Sequence, residues 1–157
     1  MKRLIPRIAL LPLYALLCQA CNTSYVDLGL PSGTLWKATD EKGGFFTYDQ
    51  AISRYGSKLP TDEQWSELNG MCDWTWTGRG YKVTGMNGNS IYLPAAGYRH
   101  GETGYVHNVG KDGRYWTSKP PKKSGEVWCI IFDTSNNMQC LYISQRSHGL
   151  SVRLVQD

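Results

Sequence analysis

The sequence predicts an α+β fold in which two short helices precede a set of antiparallel strands. Capping boxes at residues 47–50 and 61–64 each place a threonine three positions ahead of a glutamine, the pattern of a helix N-terminus. An Asn-Gly pair at residues 87–88 lies between two apolar runs and predicts a β-hairpin. Residues 127–143 contain two more apolar runs around a polar turn. A second hairpin is therefore expected near the C-terminus.

The remaining elements follow from turn formers and apolar runs. Pro31, Ser32 and Gly33 are turn formers between two short apolar stretches, so the domain is expected to open with a strand, a turn and a strand. The glycine-rich residues 97–113 show no sustained period and are expected to form a surface loop. In chain order we expect strands within 24–37, helices after Thr47 and Thr61, a hairpin of 81–83 and 91–93, loops at 97–113 and 119–125, a hairpin of 127–132 and 138–143, and a closing strand at 151–155.

The N-terminus has the pattern of an export signal. Three basic residues precede an apolar run at 8–17, which is too short to cross a bilayer. Residues 1–20 are therefore predicted to be a signal peptide. Cys21 follows a small residue, an arrangement similar to the bacterial lipobox, which predicts lipidation, a linker at 21–24 and a membrane-anchored domain at 25–157. The alternative is an ordinary secretory signal with a chance cysteine.

Charge and motifs exclude several classes of function. The net charge of +4 falls to +1 once the three basic residues of the signal peptide are removed, so nothing favours nucleic-acid binding. No phosphate loop, nucleophile elbow or dinucleotide fingerprint is present. His100 and His107 share a loop without a third ligand nearby in sequence, and are expected to be plain surface histidines. No metal or other cofactor is predicted.

Cysteine chemistry depends on the last predicted hairpin. Besides Cys21, an exported chain keeps Cys72, Cys129 and Cys140, so one disulfide at most can form. Cys129 and Cys140 lie on opposite strands of the hairpin, either directly opposed or one residue out of register. A cross-strand disulfide and a pair of buried free thiols both remain open.

Four strings in a fixed order carry a resemblance that covers residues 25–155. They are KLPTDEQWSEL at 58–68, GNSIYLPAAGYR at 88–99, GRYWTS at 113–118 and GLSVRLV at 149–155. Together they resemble the Fibrobacter succinogenes major paralogous domain, a branch of the C-type-lectin-like fold. That branch also contains the formylglycine-generating, sulfatase-modifying enzymes. The resemblance implies a C-type-lectin-like scaffold.

Catalysis is not expected from this resemblance. The sulfatase-modifying enzymes hold copper with two cysteines near the C-terminus, whereas residues 145–155 of this chain contain none. The calcium-binding motifs of animal C-type lectins are also missing. The tryptophans raise the alternative of a platform on which sugar rings stack. Trp36, Trp65 and Trp116, however, fall within or beside the strings that carry the resemblance and are expected in the core.

The final segment is similar to the variable proteins of diversity-generating retroelements, which bind ligands through scattered polar and aromatic positions. Tyrosine with asparagine, serine and arginine suits such a surface. We therefore expect a non-enzymatic envelope adhesin that binds a protein or glycan through its C-terminal hairpin and the loops around 97–125, either diversified by a retroelement or of fixed specificity. The alternatives are a structural subunit of a surface assembly and, less favoured, a sulfatase-modifying oxidoreductase. The predicted ligand-binding residues are Asn136, Asn137, Gln139, Tyr142, Ser144, Gln145, Arg146 and His148.

Overall fold

A computed structural model describes residues 24–123, 125–135 and 138–157, without the side chains of residues 139–141. The predicted signal peptide at 1–20 and the lipidation site at Cys21 lie outside the described residues. No helix within those residues is long and apolar enough to span a bilayer.

Both predicted helices are confirmed. Helix α1 spans Tyr48–Tyr55 and helix α2 spans Asp62–Met71, and a 3-10 turn at Gly56–Lys58 lies between them. The threonine before each helix accepts a hydrogen bond from the backbone N–H three residues later, and the glutamine there accepts one in return. These reciprocal bonds satisfy N–H groups that a helix start otherwise leaves unpaired.

The strands form four small antiparallel sheets, which confirms an α+β fold. The strand orders within the four sheets are β1-β2-β11, β3-β4-β5, β6-β7 and β10-β9-β8. The strands are β1 Tyr25–Asp27, β2 Leu35–Lys37, β3 Asp73–Trp76, β4 Gly80–Thr84, β5 Ser90–Pro94, β6 Tyr98–Arg99, β7 Val106–His107, β8 Asp112–Trp116, β9 Glu126–Asp133, β10 Met138–Gln145 and β11 Val155–Gln156.

Two expectations about the strands are wrong. The stretch 97–113 is not an unstructured loop, because it contains the hairpin β6–β7 and the start of β8. The predicted closing strand at 151–155 reduces to β11 at Val155–Gln156. Residues 149–155, here called the closing segment, are all buried, but their backbone partners change along the segment instead of following one neighbouring strand.

Two apolar clusters lie on the two faces of β9. Ile130 and Phe132 pack in the cluster that contains Trp36 and Trp65, while Val127 and Cys129 pack in the cluster that contains Trp116. The three tryptophans expected in the core are fully buried, as predicted. The other three, Trp74, Trp76 and Trp128, are partly buried. Because both faces of β9 are covered, this strand is the centre of the domain.

Arg153 connects the closing segment to two other parts of the chain, residues 37–40 and β5. Its side chain is fully buried, and its Nε donates to Asp40 Oδ1 at 2.7 Å. Nη1 donates to the carbonyl of Lys37 at 2.8 Å, and Nη2 to that of Tyr92 at 2.6 Å. The Tyr115 hydroxyl donates to the second oxygen of Asp40 at 3.0 Å. Burial raises the pKa of Asp40, and the charge of Arg153 opposes that rise.

We predict that Arg153→Met lowers the free energy of unfolding by about 3–5 kcal/mol, because it leaves Asp40 and two carbonyls without their buried partner. Arg146→Met is the matched control, since Arg146 makes a bidentate pair with the exposed Asp49. Its unfolding midpoint is expected to stay close to that of the wild type. Chemical denaturation measures both variants, and equal losses would contradict a special role for Arg153.

Candidate functional site

All three histidines of the sequence meet at one partly exposed site. The His100 ring centroid lies 5.0 Å from that of His148 and 6.1 Å from that of His107. Tyr98 stacks on His107 at 5.4 Å and lies 5.2 Å from His148. We call Tyr98, His100, His107 and His148 the histidine cluster. Three separate segments contribute to it, so its members are neighbours only in the folded chain.

The backbone fixes this convergence. Tyr98 pairs directly with His107 across the β6–β7 hairpin. Arg99 and Gly149 exchange two backbone hydrogen bonds, at 2.9 and 2.8 Å, which fixes the position of His148 beside β6. Gly97 has a φ of +71°, and a Cβ there would overlap the carbonyl oxygen of His107. A glycine is therefore required where the hairpin backbone makes its closest approach.

Side-chain bonds orient two of the imidazoles. Nδ1 of His100 accepts a hydrogen bond from the backbone N–H of Thr103 at 3.4 Å. Nδ1 of His148 lies 3.4 Å from the hydroxyl of Ser144, which is buried beneath it. In both rings Nε2 carries none of the described hydrogen bonds, so these nitrogens remain for a ligand.

Positive charge surrounds the histidine cluster. The Arg114 guanidinium lies 4.0 Å from the Tyr98 ring centroid, within range of a cation–π interaction. Arg114 also pairs with Asp112 at 3.0 Å, and Asp112 accepts a further hydrogen bond from Asn108. Burial lowers the pKa of His148, and the nearby His100 and Arg114 lower it further, while Glu102 opposes the shift. His148 is therefore predominantly neutral at pH 7.

The surface beside the cluster is unusually apolar for an exposed loop. Tyr105 is 72% exposed, Val109 67% and Val106 45%. Val109 also borders an open pocket of about 590 Å³ whose walls include Tyr92 and Arg79. Exposed aromatic and aliphatic side chains next to polar groups are typical of recognition surfaces.

The predicted ligand-binding residues of β10 and the turn after it do not share one surface. Ser144 is buried, Tyr142 is 43% exposed and Gln145 is exposed on the opposite face of the strand. Arg146 is directed to helix α1, where it pairs with Asp49 and lies over the Tyr48 ring. Among the predicted residues whose side chains the structure describes, Ser144 and His148 are the pair brought together. Asn136, Asn137 and the side chain of Gln139 lie outside the described residues.

Sequence reasoning missed the cluster because it grouped His100 with His107 and assigned His148 to the hairpin. The third imidazole comes from 41 positions further along the chain than His107. A partial signal was present, since His100 and His107 fall in the loop predicted at 97–113, and His148 lies between the strands predicted at 138–143 and 151–155. Even so, no three His, Cys, Asp or Glu side chains in the described ranges are placed to hold one metal ion as they stand.

The hairpin register bears on the predicted disulfide. Cys129 lies opposite Tyr142, and the register shifts between Gln139 and Tyr142, so Cys129 and Cys140 are not directly opposed. Cys129 is a buried free thiol, and burial raises its pKa to about 12. The structure thus supports the alternative of a buried free thiol at Cys129 over a cross-strand disulfide, and the side chain of Cys140 lies outside the described residues. Cys72, partly buried, is also a free thiol.

The fold is that of an α+β domain with a partly exposed cluster of histidines, and comparison with known proteins adds a family. Residues 76–155, just over half of the chain, match the family model described as Domain of unknown function (DUF8237). The chain belongs to this family. The match runs from the end of β3 to the end of the closing segment and so contains the whole histidine cluster. No curated protein and no solved structure matches the chain.

We predict that Gly97→Ala destabilises the domain more than Gly104→Ala. The two glycines have nearly equal φ values, +71° and +72°, so alanine pays the same left-handed backbone cost of about 1–2 kcal/mol at either position. A Cβ at Gly104 meets nothing within 4 Å, whereas one at Gly97 displaces the backbone of His107. Urea denaturation of both variants measures the difference. Equal losses would show that the close approach at Gly97 does not exist.

We predict that the free energy of unfolding falls as the pH is lowered through the histidine range. The pKa of His148 is lowered in the folded chain from its ordinary 6.5, so the unfolded chain binds more protons in this window and acid favours unfolding. Denaturation at about pH 7.5 and 5.5 measures the slope. In His148→Gln the slope is expected to be shallower, and an unchanged slope would contradict the assignment.

Proposed function

We propose that this chain is a non-enzymatic binding domain of the bacterial envelope that recognises a protein or glycan through the histidine cluster and the exposed loop residues beside it. The observation that carries the proposal is the convergence of Tyr98 and three histidines from distant segments on one partly exposed surface. None of the three histidines belongs to either apolar cluster of the core, whereas Tyr98 packs, partly buried, against the cluster that contains Trp116. Packing of the apolar core therefore does not account for the three imidazoles.

Thiol chemistry receives no support from the described residues. A nucleophilic or metal-binding cysteine needs an accessible thiolate, which a lowered pKa favours. Cys129 is buried and its pKa is raised to about 12, and the pKa of Cys72 is raised as well, by burial first and then by nearby acidic groups. These properties favour a binding function over an oxidoreductase of the sulfatase-modifying kind.

The envelope location and the finer fold class belong to the same proposal. The three basic residues, the apolar run at 8–17 and Cys21 support export and lipid anchoring of a domain at 25–157. The order of the four strings, with two capped helices followed by antiparallel sheets, supports the C-type-lectin-like scaffold of the Fibrobacter succinogenes major paralogous domain. A scaffold of this kind does not define a ligand, which must be argued from the site.

A binding screen with matched variants tests the function. The purified protein is applied to a glycan array and to a panel of purified envelope proteins, alongside the double variant Tyr105→Ala with His107→Ala. We expect a ligand whose affinity falls about tenfold or more in the double variant, as for an interface anchor. Met86→Ala, which removes a 69% exposed side chain from the β4–β5 turn, is expected to bind like the wild type.

Two results would contradict the proposal. One is a ligand whose binding survives the double variant but is lost on changing a residue outside the cluster. The other is turnover of a substrate by the purified protein. Stable assembly with a second envelope protein, unchanged in the double variant, would instead favour a structural subunit.

A further inference from the structure

The charges that face the histidine cluster are unbalanced. The imidazoles of His107 and His148 and the Arg114 guanidinium lie against Tyr98, and the His100 ring lies beside both of these imidazoles. Two carboxylates face them, from Asp112 and Glu102. Asp112 is already engaged by Arg114 and Asn108, at 3.0 and 2.7 Å. Glu102 lies in the exposed turn between β6 and β7 and acts on His148 only through its field.

Protonation of the cluster therefore creates positive charge without a matching internal partner. The ring centroids of His100 are 5.0 and 6.1 Å from those of its two neighbours, a range in which like charges repel measurably. The hydroxyl of Ser144 and the ring of Tyr98 add no charge beneath the imidazoles. An anion placed on the exposed side would relieve the repulsion and accept hydrogen bonds from the ring N–H groups.

We propose that the histidine cluster binds the acidic group of an acidic sugar, a carboxylate or a sulfate ester, and that it does so more tightly as the pH falls through the histidine range. This inference rests on the proposed function and names the chemistry of its ligand. A sugar is favoured because Tyr105, 72% exposed, lies two residues before His107 in the β6–β7 hairpin and offers an aromatic face to the apolar side of a sugar ring.

If an anion binds the protonated histidine cluster more tightly than the neutral one, anion binding must depend on pH. Proton uptake then strengthens anion binding, and the anion strengthens proton uptake by the same factor. Neutral His148 leaves the site weak at pH 7.5, because burial and the charges of His100 and Arg114 lower its pKa. Acidification is needed to add the charge of His148 to that of Arg114.

Nuclear magnetic resonance of the histidine rings tests the inference directly, because the sequence has no other histidines and every ring signal reports on the cluster. The purified protein is titrated in sodium sulfate and in sodium chloride of equal ionic strength. We expect sulfate to raise the titration midpoint of His148 by about half a unit or more, which corresponds to about threefold tighter sulfate binding by the protonated ring. Identical midpoints in the two salts would overturn the inference.

Two variants within the cluster and one control variant outside it show whether the sulfate effect depends on the histidines. His148→Gln is expected to remove the sulfate effect on the other two rings, and His107→Gln, at a more exposed position, to weaken it. Lys58→Gln removes an exposed cation from the 3-10 turn, outside the cluster, and is expected to leave the sulfate effect unchanged. Loss of the effect in Lys58→Gln as well would show that sulfate acts only through net charge, and would overturn the site.

A second measurement identifies the ligand class. An oligosaccharide that contains glucuronic acid is expected to bind about tenfold more tightly at pH 5.5 than at pH 7.5, while the same oligosaccharide with its carboxylates reduced shows no such gain. Preferential binding of a glutamate-rich peptide would overturn the assignment to a sugar. One combination of results would overturn this inference and leave the proposed function standing. In that case sulfate does not change the histidine titration midpoints, but the Tyr105→Ala and His107→Ala double variant still loses the ligand.

Discussion

The buried guanidinium of Arg153 is the constraint on which the rest of the domain depends. A buried charge is tolerated only with a partner and with its donors satisfied. Arg153 meets this requirement with Asp40 and with the carbonyls of Lys37 in β2 and Tyr92 in β5, so the end of β2, β5 and the closing segment must be in place together. Tyr115 of β8 completes the arrangement through its bond to Asp40.

This anchor explains how the closing segment positions the histidine cluster. The backbone of residues 149–155 bonds in turn to Arg99, Phe46, Arg114 and the loop that carries Asp40. His148 immediately precedes this buried segment, so its place beside Tyr98 follows from the packing of the core. If the histidine cluster binds a ligand as proposed, this packing preorganises it and lowers the ordering cost of binding.

The sequence predicted the parts of the fold that depend on neighbours in the chain. Each capping box needs only residues three positions apart, and both helices begin where Thr47 and Thr61 indicate. The hairpin around the Asn-Gly pair was equally local. The apolar pattern of the closing segment predicts a strand, because such a pattern does not indicate which backbone groups will be its hydrogen-bond partners. In the structure those partners change along the segment. Likewise, nothing near His148 in the sequence indicates His100, and nothing near Arg146 indicates its ion pair with Asp49.

The central claim is that the closing segment brings His148 into contact with His100 and Tyr98 in solution. Ring-to-ring nuclear Overhauser effects in the purified protein at neutral pH measure it most directly, since the centroids are 5.0 and 5.2 Å apart. We predict cross-peaks from the His148 ring to the rings of both Tyr98 and His100. Sharp, solvent-like His148 signals with neither cross-peak, in a protein that is otherwise folded, would contradict the account.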